Sequence, residues 1–127
     1  MKIIIAGLRN FTEYDLLKTT INNLLAKSNT TITEVVSGGA NGADKLGEQY
    51  AVEYNIPIKR FNADWNKYGN AAGPIRNKQM AEYSDRLIAF WDGKSRGTGS
   101  MIKLAKKNNL KTFVKQIRSK DNPFDFD

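Results

Sequence analysis

The chain has 127 residues, with 20 Lys and Arg against 13 Asp and Glu, and it contains no Cys and no His. The absence of both residue types excludes disulfide bonds, Cys/His zinc sites, thiol nucleophiles and Ser-His-Asp triads. Any chemistry must therefore use carboxylates, hydroxyls, Lys, Arg, backbone amides or a bound metal.

The length predicts one domain with one core, which we place at residues 1–118, followed by an acidic, flexible tail at 119–127. No apolar run approaches the ~20 residues needed to cross a membrane, and the apolar segment at the N-terminus is too short for a signal peptide. We therefore expect a cytoplasmic protein with no membrane partner.

The net charge of +7 is unevenly distributed along the chain. Three acids, Asp121, Asp125 and Asp127, fall in the last seven residues, so residues 1–120 carry +10 (20 basic minus 10 acidic). Such a body attracts polyanions or phosphate-bearing ligands, although a solvated Lys-rich surface explains the same charge.

Strands and helices alternate in the predicted secondary structure. The first strand, 2–6, ends at Gly7, and a helix over 12–27 follows, with an apparent capping box at Thr12–Asp15. Strands are then predicted at 32–37, 56–61, 86–91 and 111–114, and helices at 43–54, 74–83 and 100–108, with irregular chain over 62–73. Right-handed crossovers turn this order into an α/β fold, a doubly wound parallel Rossmann-like sheet of about five strands. Ligands of such sheets bind at the carboxyl ends of the strands, where the strand order reverses.

Three glycine-containing segments follow predicted strands. In the first, Gly7 allows a tight turn and Arg9 offers a planar fork of donors to a phosphate, although a surface Arg on a plain turn fits equally well. The second runs from Ser37 to Asp44 and precedes a helix, so its amides are expected to form an anion cradle. Its members are Ser37, Gly38, Gly39, Ala40 and Gly42. Asp44 either complements the helix macrodipole or contacts a ribose hydroxyl.

The third glycine-containing segment is the predicted loop that follows the most apolar strand. It contributes Asp92, Ser95, Gly97 and Thr98. The loop resembles a phosphate loop in composition but lacks the Walker spacing, so ATP hydrolysis by that route is not expected. A flexible surface loop is the alternative.

A fourth segment, 64–77, combines aromatic and cationic side chains. Trp65 could stack on a base beside Asp64, and Arg76, followed by Asn77, could pair with a phosphate. Arg76 opposes the dipole of its predicted helix, which favours a ligand as the reason for its position. Core or lid packing is the alternative for the aromatic residue.

Together these segments resemble the SLOG superfamily, which includes the Smf/DprA recombination mediators and the lonely-guy phosphoribohydrolases, and most closely its small stand-alone YspA/cpYpsA-related branch. The resemblance covers residues 3–114. It is carried by Gly7-Leu8-Arg9, residues 37–44, Ala63-Asp64-Trp65, residues 72–77 with Met80, and residues 89–98.

The resemblance implies binding of a nucleotide or nucleotide-derived ligand, for example an NAD- or ADP-ribose-related signal, by the residues named above. No cofactor and no metal ligands are predicted, and the sequence leaves open whether a metal takes part. Relatives of this kind assemble as dimers or larger, so a homo-oligomer is expected. Two alternatives remain open: a nucleotide N-glycosidase using Arg76, and single-stranded DNA binding of the Smf/DprA type through residues 37–44. The lonely-guy pattern expects a catalytic Glu at position 101, where this chain has Met101. The catalytic residues therefore remain unknown, and binding without turnover is the favoured interpretation.

Overall fold

The computed structural model describes residues 1–118, so the predicted tail at 119–127 lies outside the described residues. Five strands and five helices alternate along the chain. The strands are β1 (Lys2–Gly7), β2 (Glu34–Ser37), β3 (Ile58–Arg60), β4 (Arg86–Trp91) and β5 (Lys111–Gln116). The helices are α1 (Tyr14–Ser28), α2 (Ala43–Glu53), α3 (Trp65–Tyr68), α4 (Ala72–Tyr83) and α5 (Arg96–Lys107), with a 3-10 turn at Gly69–Ala71.

The strands form one parallel sheet in the order β3-β2-β1-β4-β5. The chain builds outward from β1 to β3 and then returns to the other side of β1 to add β4 and β5. This order confirms the predicted doubly wound fold and places the reversal between β1 and β4.

Side chains of the central strand alternate between two apolar layers. Ile3 and Ile5 are buried in the layer formed with α1 and α2, whereas Ile4 and Ala6 are buried in the layer formed with α4 and α5. β4 shows the same alternation, as expected for a strand covered on both faces. Both faces of the sheet are therefore covered by helices.

The structure corrects three local predictions. The N-cap of α1 is Glu13 rather than Thr12, where the predicted capping box begins, and Glu13 makes no side-chain capping bond. The stretch predicted to be irregular contains α3, and α4 begins at Ala72 rather than at Pro74, which lies in the first helical turn where no amide is needed.

The third correction concerns the glycine-rich loop. α5 begins at Arg96 rather than at Ser100, so Gly97 and Thr98 belong to the first turn of a helix. Glycine weakens a helix through its backbone freedom, which hid this start from the sequence pattern. Among the described residues, no helix has both the length and the apolar character needed to span a bilayer.

Candidate ligand-binding site

Two adjoining cavities open at the carboxyl ends of the strands, beside the reversal between β1 and β4. The first has a volume of about 420 Å³ and is lined by residues after β1, by α4 and by the start of α5. The second, of about 340 Å³, lies between the turn after β2 and the segment that leads into α3. Arg9, Ala40 and Arg76 line both cavities. The two spaces therefore meet at a pair of arginines.

Most of the predicted site residues are brought together here. Those that line the first cavity are Gly7, Arg9, Ala40, Asp44, Arg76, Asn77, Asp92, Ser95, Gly97 and Thr98. The second cavity adds Gly38, Gly39 and Trp65. Three predicted residues, Ser37, Gly42 and Asp64, are not among the lining residues of either cavity.

Arg76 is held in place by two hydrogen bonds. Its Nη1 donates to the Gly38 carbonyl oxygen at 2.6 Å, and its Nε donates to Asn77 Oδ1 at 2.9 Å. Burial lowers the pKa of Arg76, the nearby charge of Asp44 opposes that shift, and Arg9 adds to it. The guanidinium is thus a preorganised cation that bridges α4 and the turn after β2.

Arg9 differs from Arg76 because its side chain is exposed. Within residues 1–118 the structure gives its guanidinium no ion pair and no hydrogen bond, since the ion pairs there are Lys18 with Glu53 and Arg60 with Glu48. A cation that lines two cavities and has no ion-pair partner among residues 1–118 can pair with an anionic ligand.

Asp44 is a buried carboxyl group at the junction, only 7% exposed. Burial raises its pKa to about 6, while a hydrogen bond from the Ala40 amide at 3.2 Å and the charges of Arg76 and Arg9 act in the opposite direction. Asp44 therefore gives up its proton at a higher pH than an exposed aspartate does, and it lines the first cavity.

In the turn from Gly38 to Gly42 and at the first residue of α2, several backbone amides already donate hydrogen bonds to protein acceptors. The Gly39 amide donates to Ser37 Oγ at 3.0 Å, the Ala40 amide to Asp44, and the Ala43 amide to the Leu8 carbonyl at 3.1 Å. At Gly42, with φ of +77°, an added Cβ would lie 2.1 Å from the Leu8 carbonyl oxygen. Glycine is required there by close packing against the turn after β1.

The first turn of α5 has a different arrangement. Its first backbone bond runs from the Gly99 amide to the Ser95 carbonyl at 3.1 Å, so the amides of residues 96–98 have no intrahelical acceptor. Ser95 makes no side-chain capping bond, and the first turn contains no acidic residue. Gly97 and Thr98 line the first cavity, where the helix dipole favours negative charge.

Asp92 and Trp91 fix the start of α5 from outside the helix. Asp92 Oδ1 accepts the amides of Lys94 and Ser95, both at 2.9 Å, and Trp91 Nε1 donates to the Ser95 carbonyl at 2.9 Å. Burial opposes ionisation of Asp92, but these amide bonds outweigh it and lower its pKa. The helix start is therefore anchored without use of the amides in its first turn.

The remaining predicted residues lie at the edges of the site. Trp65 is 53% exposed and its ring edge lies over Gly73, where an added Cβ would be 3.4 Å from the ring. Asp64 caps α3 by accepting the Lys67 amide at 3.1 Å. Met101, at the position where the lonely-guy pattern expects Glu, is 2% exposed and forms part of the first cavity's wall.

A hydrogen-bond network beside the turn after β2 was not predicted from the sequence. Ser37 Oγ donates to Glu48 Oε2 at 2.6 Å, and Glu48 accepts two bonds from Arg60, at 2.6 and 3.0 Å. The bonds from Arg60 and then from Ser37 lower the pKa of Glu48 against the effect of burial. The sequence did contain one indication of this role for Glu48. Glu48 lies four residues after Asp44, so the two acidic side chains share a face of α2.

Asn10, Leu8 and Met80 also line the first cavity and were not predicted as site residues. Within residues 1–118, no group of three or more Asp and Glu residues is placed to hold a metal ion.

The fold and the position of the cavities define a doubly wound α/β protein with a candidate ligand site at the reversal of strand order. A model of the YspA, cpYpsA-related SLOG family matches residues 1–68, and the chain belongs to that family.

Among curated proteins, the chain is similar to the Gene 61 protein of Mycobacterium phage D29, with 34% identity over 82 residues. The alignment covers 60% of this chain and 66% of the phage protein, just under two thirds of its length. No solved structure matches the chain.

Proposed function

We propose that the protein binds a nucleotide or nucleotide-derived ligand across the two joined cavities. The observation that carries the proposal is the convergence of Arg9, Arg76 and the first turn of α5 on the first cavity. Two cations and a set of helix amides without intrahelical acceptors complement a phosphate group, and family membership makes a nucleotide the expected carrier of that phosphate.

The phosphate is best accommodated at the start of α5 rather than at the turn after β2. The amides of Gly39, Ala40 and Ala43 are engaged by protein oxygens, whereas those of Gly97 and Thr98 precede the first helical bond. A ligand bound at the amides of Gly97 and Thr98 would therefore displace no backbone hydrogen bond made within residues 1–118. The guanidinium groups of Arg9 and Arg76, which line both cavities, would then contact the phosphate of that ligand.

The second cavity supplies room for the rest of the ligand. Because the two arginines line both spaces, a charged group in the middle of the ligand can contact them while uncharged groups extend to either side. The exposed ring of Trp65 at the second cavity suits stacking on a base. Molecules with a central diphosphate, such as ADP-ribose, fit this arrangement, and a mononucleotide would occupy part of it.

Nucleotide N-glycosidase activity is a second candidate, favoured by the two carboxyl groups of the first cavity. The pKa of Asp44 is raised to about 6 and that of Asp92 is lowered, which is the pattern of an acid and a carboxylate that stays ionised. Met101 removes the carboxylate of the lonely-guy pattern, so Asp44 would have to serve as the acid. Chromatography of nucleoside monophosphates incubated with the protein tests this candidate, and absence of free base at high protein concentration would exclude it.

Isothermal titration with AMP, CMP and ADP-ribose tests the binding proposal. We expect saturable binding that Arg9→Ala weakens about tenfold or more, because a charge-assisted contact contributes about 1.5–3 kcal/mol. Lys107→Ala is the charge-matched control, since Lys107 is also exposed, lies in the last turn of α5 and lines neither cavity. No binding of any of these ligands, or equal losses in both variants, would contradict the proposal. The expected homo-oligomer remains a prediction that light scattering would test.

A further inference from the structure

The carboxyl group of Asp44 lines the first cavity together with Arg9 and Arg76. It is buried, and within residues 1–118 its hydrogen bond comes from the Ala40 amide at 3.2 Å. A Cβ added at Gly38 would lie 2.9 Å from Asp44 Oδ2 and 2.6 Å from Arg76 Nη1, so the carboxyl and guanidinium groups flank the same glycine. The two groups nevertheless form no ion pair in this part of the chain. Asp44 is therefore a buried carboxyl group that lies near a cation without pairing with it.

The charges that line the first cavity cancel when every acid is ionised, because they belong to two arginines, Arg9 and Arg76, and two aspartates, Asp44 and Asp92. The Asp92 carboxylate accepts two backbone amides, which lower its pKa and keep it ionised. A proton on Asp44 leaves the cavity with one net positive charge, which attracts an anion. The protonation of Asp44 thus sets the charge that a ligand meets.

Charged groups on several neighbouring elements act on Asp44. Burial raises its pKa to about 6, against one backbone hydrogen bond and the charge of Arg76 on α4. Glu48, one turn later on α2, raises the pKa further, and Arg9 in the turn after β1 lowers it. The turn after β2, residues 38–42, carries no charged side chain. The two arginines are therefore the charges that favour ionised Asp44.

A phosphate in the first cavity would change this balance in one direction. It would add negative charge near Asp44, and it would pair with the guanidinium groups of Arg9 and Arg76, whose positive charge otherwise favours the ionised carboxyl group. A protonated carboxyl group can also donate a hydrogen bond to a phosphate oxygen, which a carboxylate cannot do. All three effects favour protonated Asp44 in the complex.

We propose that Asp44 takes up a proton from solvent when an anionic ligand binds in the first cavity, so that the site binds and releases the anion and the proton together. The proposal rests on the proposed function, because it requires an anion at Arg9 and Arg76. Below the pH at which the free carboxyl group ionises, affinity should not depend on Asp44. Above it, affinity should fall as the pH rises, by at most about tenfold per pH unit for one proton.

Isothermal titration of the native protein with ADP-ribose, in two buffers of different ionisation enthalpy, measures the number of protons taken up. ADP-ribose is the probe because its diphosphate is esterified on both sides, whereas a terminal phosphate itself titrates at a pKa of about 6. At about pH 7 we expect an uptake of about half a proton or more per ligand. Between about pH 6 and about pH 8 the affinity should fall about fivefold or more.

Asp44→Asn removes the titrating group and should abolish both the proton uptake and the fall in affinity. Asp92→Asn is the matched control, because Asp92 is the other carboxyl group of the cavity and its pKa is lowered. That variant should still take up the proton, whatever its affinity. Absence of uptake by the native protein, or equal uptake by the native protein and Asp44→Asn, would overturn the proposal.

The proton coupling and the proposed function can fail separately in this design. Binding of ADP-ribose without proton uptake refutes the coupling and leaves the proposed function standing. If AMP binds and ADP-ribose does not, the difference in uptake between the native protein and Asp44→Asn decides, because the phosphate of AMP contributes equally to both. Absence of binding of both nucleotides across the same pH range refutes the proposed function and the coupling with it.

Discussion

The two glycine-rich turns of this protein look alike in sequence and differ in where their amides point. Both follow a strand and precede a helix at the same rim of the sheet. The turn before α2 donates to Ser37, Asp44 and Leu8, and its glycines allow close packing. The start of α5 leaves the amides of its first turn without intrahelical acceptors. Glycine content alone therefore does not identify a phosphate site, because the partners of the amides decide it.

Gly42→Ala should have the largest effect on stability. Its Cβ would lie 2.1 Å from the Leu8 carbonyl oxygen, in a backbone conformation with φ of +77° that side chains rarely adopt. We expect a loss of about 3 kcal/mol or more, measured by urea denaturation. A loss below about 1 kcal/mol would show that the turn is not packed as described.

Asp44→Asn should change how stability depends on pH. The pKa of Asp44 is raised to about 6 in the folded protein, so its protonated form stabilises the fold below about pH 4 and that contribution is lost as the pH rises through about 6. Above that range the ionised group costs at most about 3 kcal/mol, which the amide avoids while it still accepts the Ala40 bond.

The measurement is urea denaturation of both proteins from about pH 4.5 to about pH 7.5, with the variant gaining relative stability as the pH rises. Asp92→Asn is the control, and its stability difference from the native protein should stay constant over this range. Because the pKa of Asp92 is lowered, the stability that its ionised form contributes is lost only on acidification below the ordinary pKa of an aspartate, about 3.9. A pH-independent difference between the native protein and Asp44→Asn would contradict the account of Asp44.

Glu48→Ala should destabilise the turn before α2 by about 2 kcal/mol, because it removes the acceptor of Ser37 and Arg60 and leaves a buried hydroxyl without that partner. The readout is the midpoint of thermal unfolding. Glu53→Ala on the same helix is the control, since Glu53 accepts from Lys18 and Tyr14 at the surface and its loss should lower the midpoint less than Glu48→Ala does. Equal losses would refute a special role for the buried network.

Gly97→Ala should have the smallest effect on stability and a clear effect on binding. An added Cβ at Gly97 meets no protein atom within 4 Å, so the variant should change stability by less than about 1 kcal/mol. Because Gly97 lines the first cavity, the added methyl group should crowd a phosphate at its amide and reduce AMP affinity in isothermal titration. Unchanged affinity would argue against a phosphate at this position.

The order of the elements and the apolar strands could be predicted from the sequence. A short run of apolar and β-branched residues such as β4 is typical of a strand that helices cover on both faces of the sheet. The dipole argument for Arg76 assumed a helix that begins at Pro74. Because α4 begins at Ala72, Arg76 lies beyond the first turn and that argument does not apply, although Arg76 does line both cavities. The family resemblance agrees with the family match over residues 1–68.

Other features depend on tertiary contacts that no local pattern reports. The start of α5 was hidden because Gly97 and Gly99 have low helix propensity, while Asp92 and Trp91 fix that start from outside the helix. The engagement of Ser37 by Glu48 joins β2 to α2 across the fold, and only the packed structure brings the two side chains to 2.6 Å.

The most direct test of the difference between the two turns is amide chemical-shift mapping of the nitrogen-15-labelled protein during titration with AMP. The account predicts that the amides of Gly97 and Thr98 shift most, while those of Gly39, Ala40 and Ala43 change little because they stay bonded to Ser37, Asp44 and Leu8. Large shifts at Gly39 and Ala40 with unchanged signals at Gly97 and Thr98 would contradict it.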